Sequence, residues 1–277
     1  MKIKKCPFCG QLSAEIEGKY HCLYCGRVED EAPPKIPNNS FLYGSNQTIA
    51  DAAHKNLLNN VDGSLTYCLN RGLTMHTIEN WKLGYAPAGF RFLPAIWEHR
   101  ILFPIFSNDG AHIVGFGGRK TTVDERAKYL NSPASAIYRK SSSLYGYNLV
   151  PDNADEVYLC EGYVDVLSMD AHGMFYPVAS LGTSLTAEQS VLLRKKTQNI
   201  TIAYDSDSAG QRNTVRAIDL LMRAGFKTNE INILVVSDAK DVDEALTHGG
   251  TLQKQTLMGY LLEQGHYDLA ADALINI

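Results

Sequence analysis

From residue 156 onward, short apolar runs alternate with longer amphipathic segments. The apolar runs predict strands at residues 157–160, 177–180, 200–204 and 232–236, and the segments between them predict helices at residues 163–172, 186–196 and 211–221. Strands that alternate with helices of this length indicate a parallel sheet. The pattern therefore predicts an α/β fold for this half of the chain.

The pattern before residue 156 is different. Residues 46–83 predict three short helices with two breaks, and the apolar runs 101–106 and 112–116 predict a hairpin. The second run continues into Gly115-Phe-Gly-Gly-Arg119, which no helix follows at once, so it is not a dinucleotide-binding fingerprint. We expect these glycines to permit a bulge or a close approach of the backbone to another element.

Cysteines dominate the first 28 residues. Two Cys-x2-Cys pairs, each followed by glycine, are formed by Cys6, Cys9, Cys22 and Cys25. This spacing is typical of one structural Zn²⁺ in a tetrahedral ribbon site. The alternative is a redox dithiol pair, but such motifs occur singly within a βαβ unit. We expect a zinc ribbon at 1–28, followed by an acidic and proline-rich linker at 29–45.

The net charge of −4 is distributed unevenly. Residues 66–147 hold ten basic and five acidic residues, whereas residues 151–277 hold nine and eighteen. A basic middle beside an acidic half suits a polyanion track next to carboxylates that bind metal, although solvated surface charge can cluster by chance. The expected organisation is a basic α+β subdomain at 46–150, an α/β domain at 151–250 and a short helical segment at 251–277.

The sequence shows no targeting or membrane segment. No apolar run has the length of a transmembrane span, and the N-terminus lacks the apolar stretch of a signal peptide. We therefore expect a cytoplasmic protein with no membrane partner.

Acidic residues follow three of the predicted strands. They are Glu161, with Asp165 one helical turn beyond it, then Asp205 and Asp207, then Asp241 and Asp243. Because parallel strands present their carboxyl ends at one edge of a sheet, we expect these acids to converge. The period of a strand predicts that Asp205 and Asp207 point the same way, and Gly210 is expected to let the backbone turn into the next helix. Oxygen ligands favour Mg²⁺ or Mn²⁺, although each acid alone is more often a cap or turn residue.

Two of these stretches carry a family likeness. Glu161-Gly-Tyr-Val-Asp165 and Asp205-Ser-Asp-Ser-Ala-Gly210 resemble the two signature motifs of the Toprim domain. Other stretches resemble the catalytic core of the bacterial-type DNA primases, in order along residues 64–250. These stretches are residues 67–73, 83–87, 100–105, 115–119, 128–133, 144–146 and 181–184.

The resemblance implies a Toprim parallel-sheet core and an enzyme that makes short RNA primers on single-stranded DNA from ribonucleoside triphosphates. It implies Glu161, Asp205 and Asp207 as catalytic residues, and these together with Asp165, Asp241 and Asp243 as ligands of Mg²⁺ or Mn²⁺. Glu161 could be a ligand or a base. The residues expected to contact nucleic acid or nucleotide are Arg71, Arg100, Arg119, Lys128, Tyr129 and Lys140, of which Tyr129 could equally fill the core and the basic ones could be surface charge.

The chain also departs from the family pattern. Ser206 stands where the family commonly has glycine, and the zinc segment is shorter, with four cysteines and no histidine ligand. The sequence holds no helicase-interaction domain, so we expect a compact, bacteriophage-like primase that works with a separate replicative helicase. The alternatives are a Toprim-type nuclease and a non-catalytic adaptor for a helicase or single-stranded DNA.

Overall fold

The computed structural model describes residues 3–5, 12–16, 19–22, 39–182 and 184–275. The chain divides into two compact units, Met1–Phe41 and Leu42–Ile277. In the first unit, β1 (Ile3–Lys5), β2 (Leu12–Ile16) and β3 (Lys19–Cys22) form an antiparallel sheet in that order. Three of the four cysteines of the predicted zinc site, Cys6, Cys9 and Cys25, lie outside the described residues. The zinc site therefore stays a prediction.

Three helices open the second part of the chain, as the sequence predicted. They are α1 (Ser40–Leu58), α2 (Ser64–Asn70) and α3 (Met75–Asn80). Asn60 and Asp62 adopt left-handed backbone conformations with φ of 53° and 52°, which ends the helical path between α1 and α2. Because α1 begins at Ser40, the last six residues of the predicted linker 29–45 are helical.

A four-stranded antiparallel sheet follows, and it contains the predicted hairpin. Its strands, in spatial order, are β4 (Gly84–Ala86), β5 (Arg100–Phe106), β6 (Ile113–Lys120) and β7 (Tyr129–Asn131). Gly117 in β6 faces the ring of Tyr163, and a Cβ at this position would collide with that ring. The glycine therefore permits a close approach between the sheet and the next domain, which was one of the two predicted reasons for it.

The C-terminal half is a five-stranded sheet flanked by helices. Its strands are β8 (Val157–Cys160), β9 (Pro177–Ala179), β10 (Ile200–Ala203), β11 (Ile231–Ser237) and β12 (Thr251–Thr256), in the order β12-β11-β10-β8-β9. Its helices are α4 (Tyr163–Ala171), α5 (Ala187–Lys196), α6 (Ser208–Arg223), α7 (Val242–His248), α8 (Leu257–Glu263) and α9 (Tyr267–Ile275). The first four strands along the chain are mutually parallel, which confirms the predicted α/β arrangement.

The prediction of a short helical segment at 251–277 was wrong for its first six residues, whereas α8 and α9 follow them. Residues 251–256 form β12, an antiparallel edge strand that pairs with β11 along six residues. Its sequence, Thr-Leu-Gln-Lys-Gln-Thr, is largely polar and mostly exposed, so it carries no apolar run. Main-chain pairing with β11, rather than burial of side chains, places this strand.

Aromatic packing joins the antiparallel sheet to the start of α4. The ring of Tyr163 stacks on Phe103 of β5 with centroids 4.8 Å apart, and it meets Tyr145 edge-on at the same distance. All three rings are buried. This contact packs strand β5 against the start of α4, which follows β8. Among the described helices, none combines the length and the apolar composition needed to cross a membrane.

Candidate active site

A cavity of about 450 Å³ lies where the carboxyl ends of β8, β10 and β11 face strands β6 and β7. One wall is acidic and is formed by Glu161, Asp165, Asp205, Asp241 and Asp243. The facing residues are basic or aromatic, namely Arg71, Arg119, Lys128 and Tyr129. The structure therefore brings together five of the six predicted acids and four of the six predicted nucleic-acid residues.

Two acids of the cavity follow parallel strands directly. Glu161 follows β8 and Asp205 comes two residues after β10, and both are half-buried. Burial raises the pKa of Glu161, and the charge of Asp205 raises it further. Burial and the charge of Asp241 likewise raise the pKa of Asp205. These carboxylates repel one another at one sheet edge, as expected from the order of the strands.

Asp165 is the most deeply buried acid of the cavity. It lies in the first turn of α4, where its Oδ2 accepts a hydrogen bond from the backbone N–H of Gly162 at 3.2 Å. Burial raises its pKa to about 8, with further contributions from the charges of Asp241, Asp205 and Asp243. A carboxyl group with this pKa is held near neutrality until a cation compensates its charge.

Asp207 takes a different position from the one predicted. Strand β10 ends at Ala203, so the alternation of a strand does not extend to residues 205 and 207. Asp207 is the exposed N-cap of α6, and its Oδ1 accepts from the backbone N–H groups of Gly210 and Ala209 at 2.8 and 2.9 Å. The bond from Gly210 is the largest of the effects that lower its pKa. Asp207 does not line the cavity, although its charge still raises the pKa of Glu161.

The absence of a side chain at Gly210 permits a close backbone contact, rather than the predicted turn into the helix. Helix α6 begins at Ser208, so Gly210 lies inside its first turn. A Cβ at this position would lie 2.8 Å from the carbonyl carbon of Asp205 and closer still to its oxygen. The absent side chain lets the helix approach the backbone that carries the acid.

Arg71 and Asp243 pair with each other across the cavity. Arg71 forms an ion pair with Oδ2 of Asp243, and the hydroxyl of Ser168 donates to Oδ1 of the same carboxylate. Both oxygens of Asp243 therefore have protein partners. The sequence assigned one residue to nucleic acid and the other to metal, and the structure joins them in a contact 172 residues apart along the chain.

Arg119 anchors the basic side of the cavity. Its Nε donates to the hydroxyl of Tyr67 at 3.1 Å and its Nη1 donates to the hydroxyl of Tyr129 at 2.6 Å. Desolvation lowers the pKa of Arg119, but Tyr129 and Tyr67 more than offset this, so the pKa is raised. Lys128 lies over the ring of Tyr129 at 5.7 Å, and burial followed by the charge of Arg119 lowers its pKa.

Two predicted basic residues do not line the cavity. Arg100 is fully buried, and its Nε and Nη1 donate to the carbonyl oxygens of Ile96 and Lys128. Lys140 lies in a short 3₁₀ turn, and its carbonyl oxygen accepts from Gln189. Arg100 thus supports the backbone under Lys128 from the inside of the protein.

Three polar residues near the acids were missed by the sequence analysis. Lys240 places its Nζ 3.9 Å from Oδ2 of Asp205 and 3.8 Å from Oδ2 of Asp241. Asn131 lines the cavity and accepts from the hydroxyl of Tyr163. Asn213 donates to Oε1 of Glu161 at 3.4 Å. Lys240 was detectable as the one basic residue within the acidic run 238–244, whereas the other two depend on contacts between distant segments.

The acids converge without closing a coordination cage. Within the described ranges, no group of three or more histidine, cysteine, aspartate or glutamate side chains is close enough to hold a metal ion. The donor set nevertheless fits a hard divalent cation, because it offers only carboxylate oxygens whose mutual repulsion a cation would relieve. The ammonium group of Lys240 already lies between two of them.

Comparisons with known proteins agree with this geometry. A family model described as Toprim-like matches residues 158–246, and one described as the DNA primase catalytic core, N-terminal domain, matches residues 93–150. The DNA primase of Clostridium acetobutylicum is 35% identical over 238 residues, which cover 76% of this chain and 39% of that protein.

Two solved structures share the fold. The DnaG primase catalytic domain bound to single-stranded DNA is 27% identical, with a TM-score of 0.70, and the match covers 82% of this chain and 85% of that one. The zinc-binding and RNA polymerase domains of the Aquifex aeolicus primase are 23% identical, also with a TM-score of 0.70, over 96% of this chain and 82% of that one.

The chain spans between 36 and 50% of the length of the curated primases it matches. The two family matches adjoin each other in the order expected for a primase core, and together they contain most of the cavity lining. The chain belongs to the bacterial-type DNA primases, with a Toprim domain in its catalytic core.

Proposed function

We propose that this chain synthesises short RNA primers on single-stranded DNA by nucleotidyl transfer that depends on a divalent metal. The observation that carries the proposal is the single cavity in which acids at the ends of three parallel strands face Arg119 and Lys128. Such an arrangement suits a polyanionic substrate held between a cation site and basic side chains. The relative bound to single-stranded DNA supports the nature of the template.

The acidic wall would hold the metal. Asp205, Asp241 and Glu161 are half-buried and have oxygens facing the cavity, and Asp165 lies beneath them. When bound, Mg²⁺ or Mn²⁺ would lower the pKa of the attacking 3′-hydroxyl and offset charge on the phosphates. Glu161 is placed to ligate the cation or to accept the hydroxyl proton, which are the two roles that the sequence leaves open. Asp207 would act through its charge and as the cap of α6.

The residues that face the acidic wall, namely Arg71, Arg119, Lys128 and Tyr129, form a basic wall that would hold the substrate. Lys128 has no ion-pair partner among the described residues, so its ammonium group can bind a triphosphate. Arg119 keeps its orientation through Tyr67 and Tyr129 and can contact a second phosphate. The 3′-hydroxyl of one ribonucleotide would attack the α-phosphate of the next, and pyrophosphate would leave. The protein orients both reactants and neutralises their charge.

The remaining parts of the chain complete the proposal. The four cysteines at 6, 9, 22 and 25 would bind one structural Zn²⁺ in the segment 1–28. The family matches end at residue 150 and resume at residue 158, which supports a boundary near 150 between the basic subdomain and the Toprim domain. A separate replicative helicase would deliver the template.

A primer-synthesis assay tests the proposal. The purified chain is incubated with single-stranded DNA, labelled ribonucleotides and Mg²⁺ or Mn²⁺, and the products are separated on a gel. We expect short labelled RNA, and we expect Asp205→Asn to reduce it by more than about 1,000-fold because a ligand for the metal is lost. DNA binding by this variant should be unchanged or tighter, since a negative charge is removed.

Asp219→Asn is the matched control. Asp219 is an exposed carboxylate on α6 that pairs with Arg223 and does not line the cavity, so this variant should make primers normally. Near-normal synthesis by Asp205→Asn would overturn the assignment of the metal site. Degraded DNA in place of new RNA would indicate a nuclease, and no product with any metal would indicate an adaptor.

A further inference from the structure

Lys240 is a basic residue inside the acidic wall. We propose that its ammonium group is an internal counter-cation of the metal site, which a divalent cation displaces and which then binds the triphosphate of the incoming nucleotide. Its Nζ lies 3.9 Å from Asp205 and 3.8 Å from Asp241, so one positive charge is shared between two acids on different loops. The inference rests on the proposed function, because it assumes that these acids bind the metal.

The backbone of Lys240 is held firmly, whereas its side chain is free to move. The carbonyl oxygen of Lys240 accepts from the N–H and the hydroxyl of Ser206, both at 2.9 Å. Its own N–H donates to Glu244 at 2.7 Å. The side chain itself is 59% exposed. The position of the Cα is therefore fixed, and the ammonium group can swing between the acids and the cavity.

The structure shows which contacts the side chain of Ser206 makes. The single proton of the Ser206 hydroxyl is shared between the carbonyl oxygens of Lys240 and Ala239, at 2.9 and 3.0 Å, so it ties the loop of Asp205 to the loop of Lys240. A glycine at this position would keep only the main-chain bond. The residue that departs from the family pattern thus anchors the two loops between which the ammonium group lies.

The other basic side chains of the cavity already have partners or lie farther from Asp205 and Asp241. Arg71 pairs with Asp243, and Arg119 is bound by two tyrosine hydroxyls. Lys128 is near enough to Lys240 for the two charges to repel, which contributes to its lowered pKa. Among the described residues, Lys240 is therefore the cation that directly compensates Asp205 and Asp241.

This position has two consequences of opposite sign. A divalent cation that binds Asp205 and Asp241 must replace the ammonium group, so Lys240 weakens metal binding. Once the metal neutralises those acids, the ammonium group loses its partners and lies in the same cavity as Lys128, where an anion would attract it. Lys240 should therefore strengthen nucleotide binding while it weakens metal binding.

Lys240→Met tests both consequences because methionine keeps much of the apolar stem and removes the charge. Mn²⁺ is titrated into the metal-free full chain at low salt, and free Mn²⁺ is measured by electron paramagnetic resonance. We expect about fivefold tighter Mn²⁺ binding, since a positive charge that competes for Asp205 and Asp241 from about 4 Å is removed, and a smaller effect at high salt. In primer synthesis at saturating Mn²⁺, we expect KM for the ribonucleotide to rise about fivefold with little change in kcat.

Two variants serve as controls. Lys240→Arg retains the charge and should bind Mn²⁺ like the wild type. Lys254→Met removes a lysine of β12 that pairs with Glu156 outside the cavity, and it should change neither quantity. A merely structural role for Lys240 would not move metal affinity and KM in opposite senses.

The outcomes separate this inference from the proposed function. Unchanged or weaker Mn²⁺ binding by Lys240→Met would overturn the counter-cation, and tighter binding with an unchanged KM would overturn its transfer to the triphosphate. Asp205→Asn is measured in the same titration. If Asp205→Asn binds Mn²⁺ as the wild type does, the metal site itself is misassigned, whatever Lys240→Met shows.

Discussion

The acidic and basic walls of the cavity are positioned by different kinds of contact. On the acidic wall, Asp165 and Asp241 accept hydrogen bonds from backbone N–H groups at the starts of helices, as does their neighbour Asp207 outside the cavity. On the basic wall, Arg119 is held by tyrosine hydroxyls and Arg71 by a carboxylate. The path of the backbone thus sets the positions of these three acids, whereas other side chains set the positions of the two arginines.

This difference has a physical consequence. Burial raises the pKa values of Glu161, Asp165 and Asp205, and the repulsion between acids that the fold keeps close together raises them further. Because the fold keeps these acids close together, the binding of a cation among them would be favoured by the relief of their repulsion. The arginines already have side-chain partners in the protein, so in the proposed mechanism they would orient the substrate.

Gly210→Ala should have the largest effect, because it disturbs the backbone under an acid. The new Cβ would collide with the carbonyl group of Asp205, which cannot move without displacing the loop. We expect a loss of about 4 kcal/mol in the free energy of unfolding, measured with a chemical denaturant, and no detectable primer synthesis.

The control for this change is Gly44→Ala. Gly44 lies in α1 with no atom within 4 Å of a Cβ at this position, so alanine should stabilise the protein by about 0.5–1 kcal/mol. If Gly210→Ala were as well tolerated as Gly44→Ala, the backbone would not be what places Asp205.

Asp165→Asn should stabilise the metal-free protein, because it removes a buried group whose ionisation the fold disfavours. The pKa of Asp165 is raised from 3.8 to about 8, so its carboxyl stays protonated in the folded protein while the unfolded chain ionises. The stability associated with this group is full below about pH 4 and falls as the pH rises towards 8. We expect the metal-free variant to be more stable than the wild type by on the order of 3 kcal/mol at pH 8, with the difference shrinking towards pH 4.

Thermal unfolding in a chelator across this pH range measures the effect. Mn²⁺ should stabilise the wild type more than Asp165→Asn, since the variant has lost a carboxylate. A variant that is less stable than the wild type at pH 8 would show that ionisation of Asp165 does not destabilise the folded protein.

The acidic wall could be predicted from sequence because topology determines it. Three apolar runs, each followed by an acid, were enough to bring Glu161, Asp205 and Asp241 to one sheet edge. The predicted turn at Gly210 was wrong because the start of α6 was predicted three residues too late. The sequence indicated which basic and aromatic residues form the basic wall, but it did not predict the contacts that hold them.

Long-range pairing explains the remaining errors. Nothing near Arg71 in the sequence indicates that Asp243 is its partner, and nothing near Arg100 indicates that its side chain is buried. Strand β12 was missed because main-chain pairing places it. In each case, the decisive contact joins segments whose separation in sequence carries no periodic signal.

Tyr67→Phe should weaken the basic wall without unfolding it. The change removes the hydroxyl that accepts from Nε of Arg119 and leaves the bond to Tyr129. We expect a loss of about 1.5 kcal/mol in stability and a KM for the ribonucleotide about fivefold higher, because the guanidinium group becomes mobile. Steady-state primer synthesis measures this, with Tyr43→Phe, outside this cavity, as the control. A change in kcat alone would place Arg119 away from the nucleotide.

Glu161 resembles Asp243 rather than Asp165 and Asp241, because another side chain holds its carboxylate. Asn213 donates to its Oε1 at 3.4 Å, and the hydroxyl of Ser184 donates to the amide oxygen of Asn213 at 2.9 Å, which turns the amide nitrogen towards the glutamate. If this chain of contacts orients Glu161, Asn213→Ala should weaken Mn²⁺ binding about threefold, which matches one long hydrogen bond.

A double-mutant cycle gives the sharper result. Ser184 acts on Glu161 only through Asn213, so Ser184→Ala should weaken Mn²⁺ binding about twofold in the wild type and not at all in Asn213→Ala. Additive effects of the two changes would mean that Ser184 reaches the metal site by another route. In that case Asn213 would hold Glu161 without the help of Ser184.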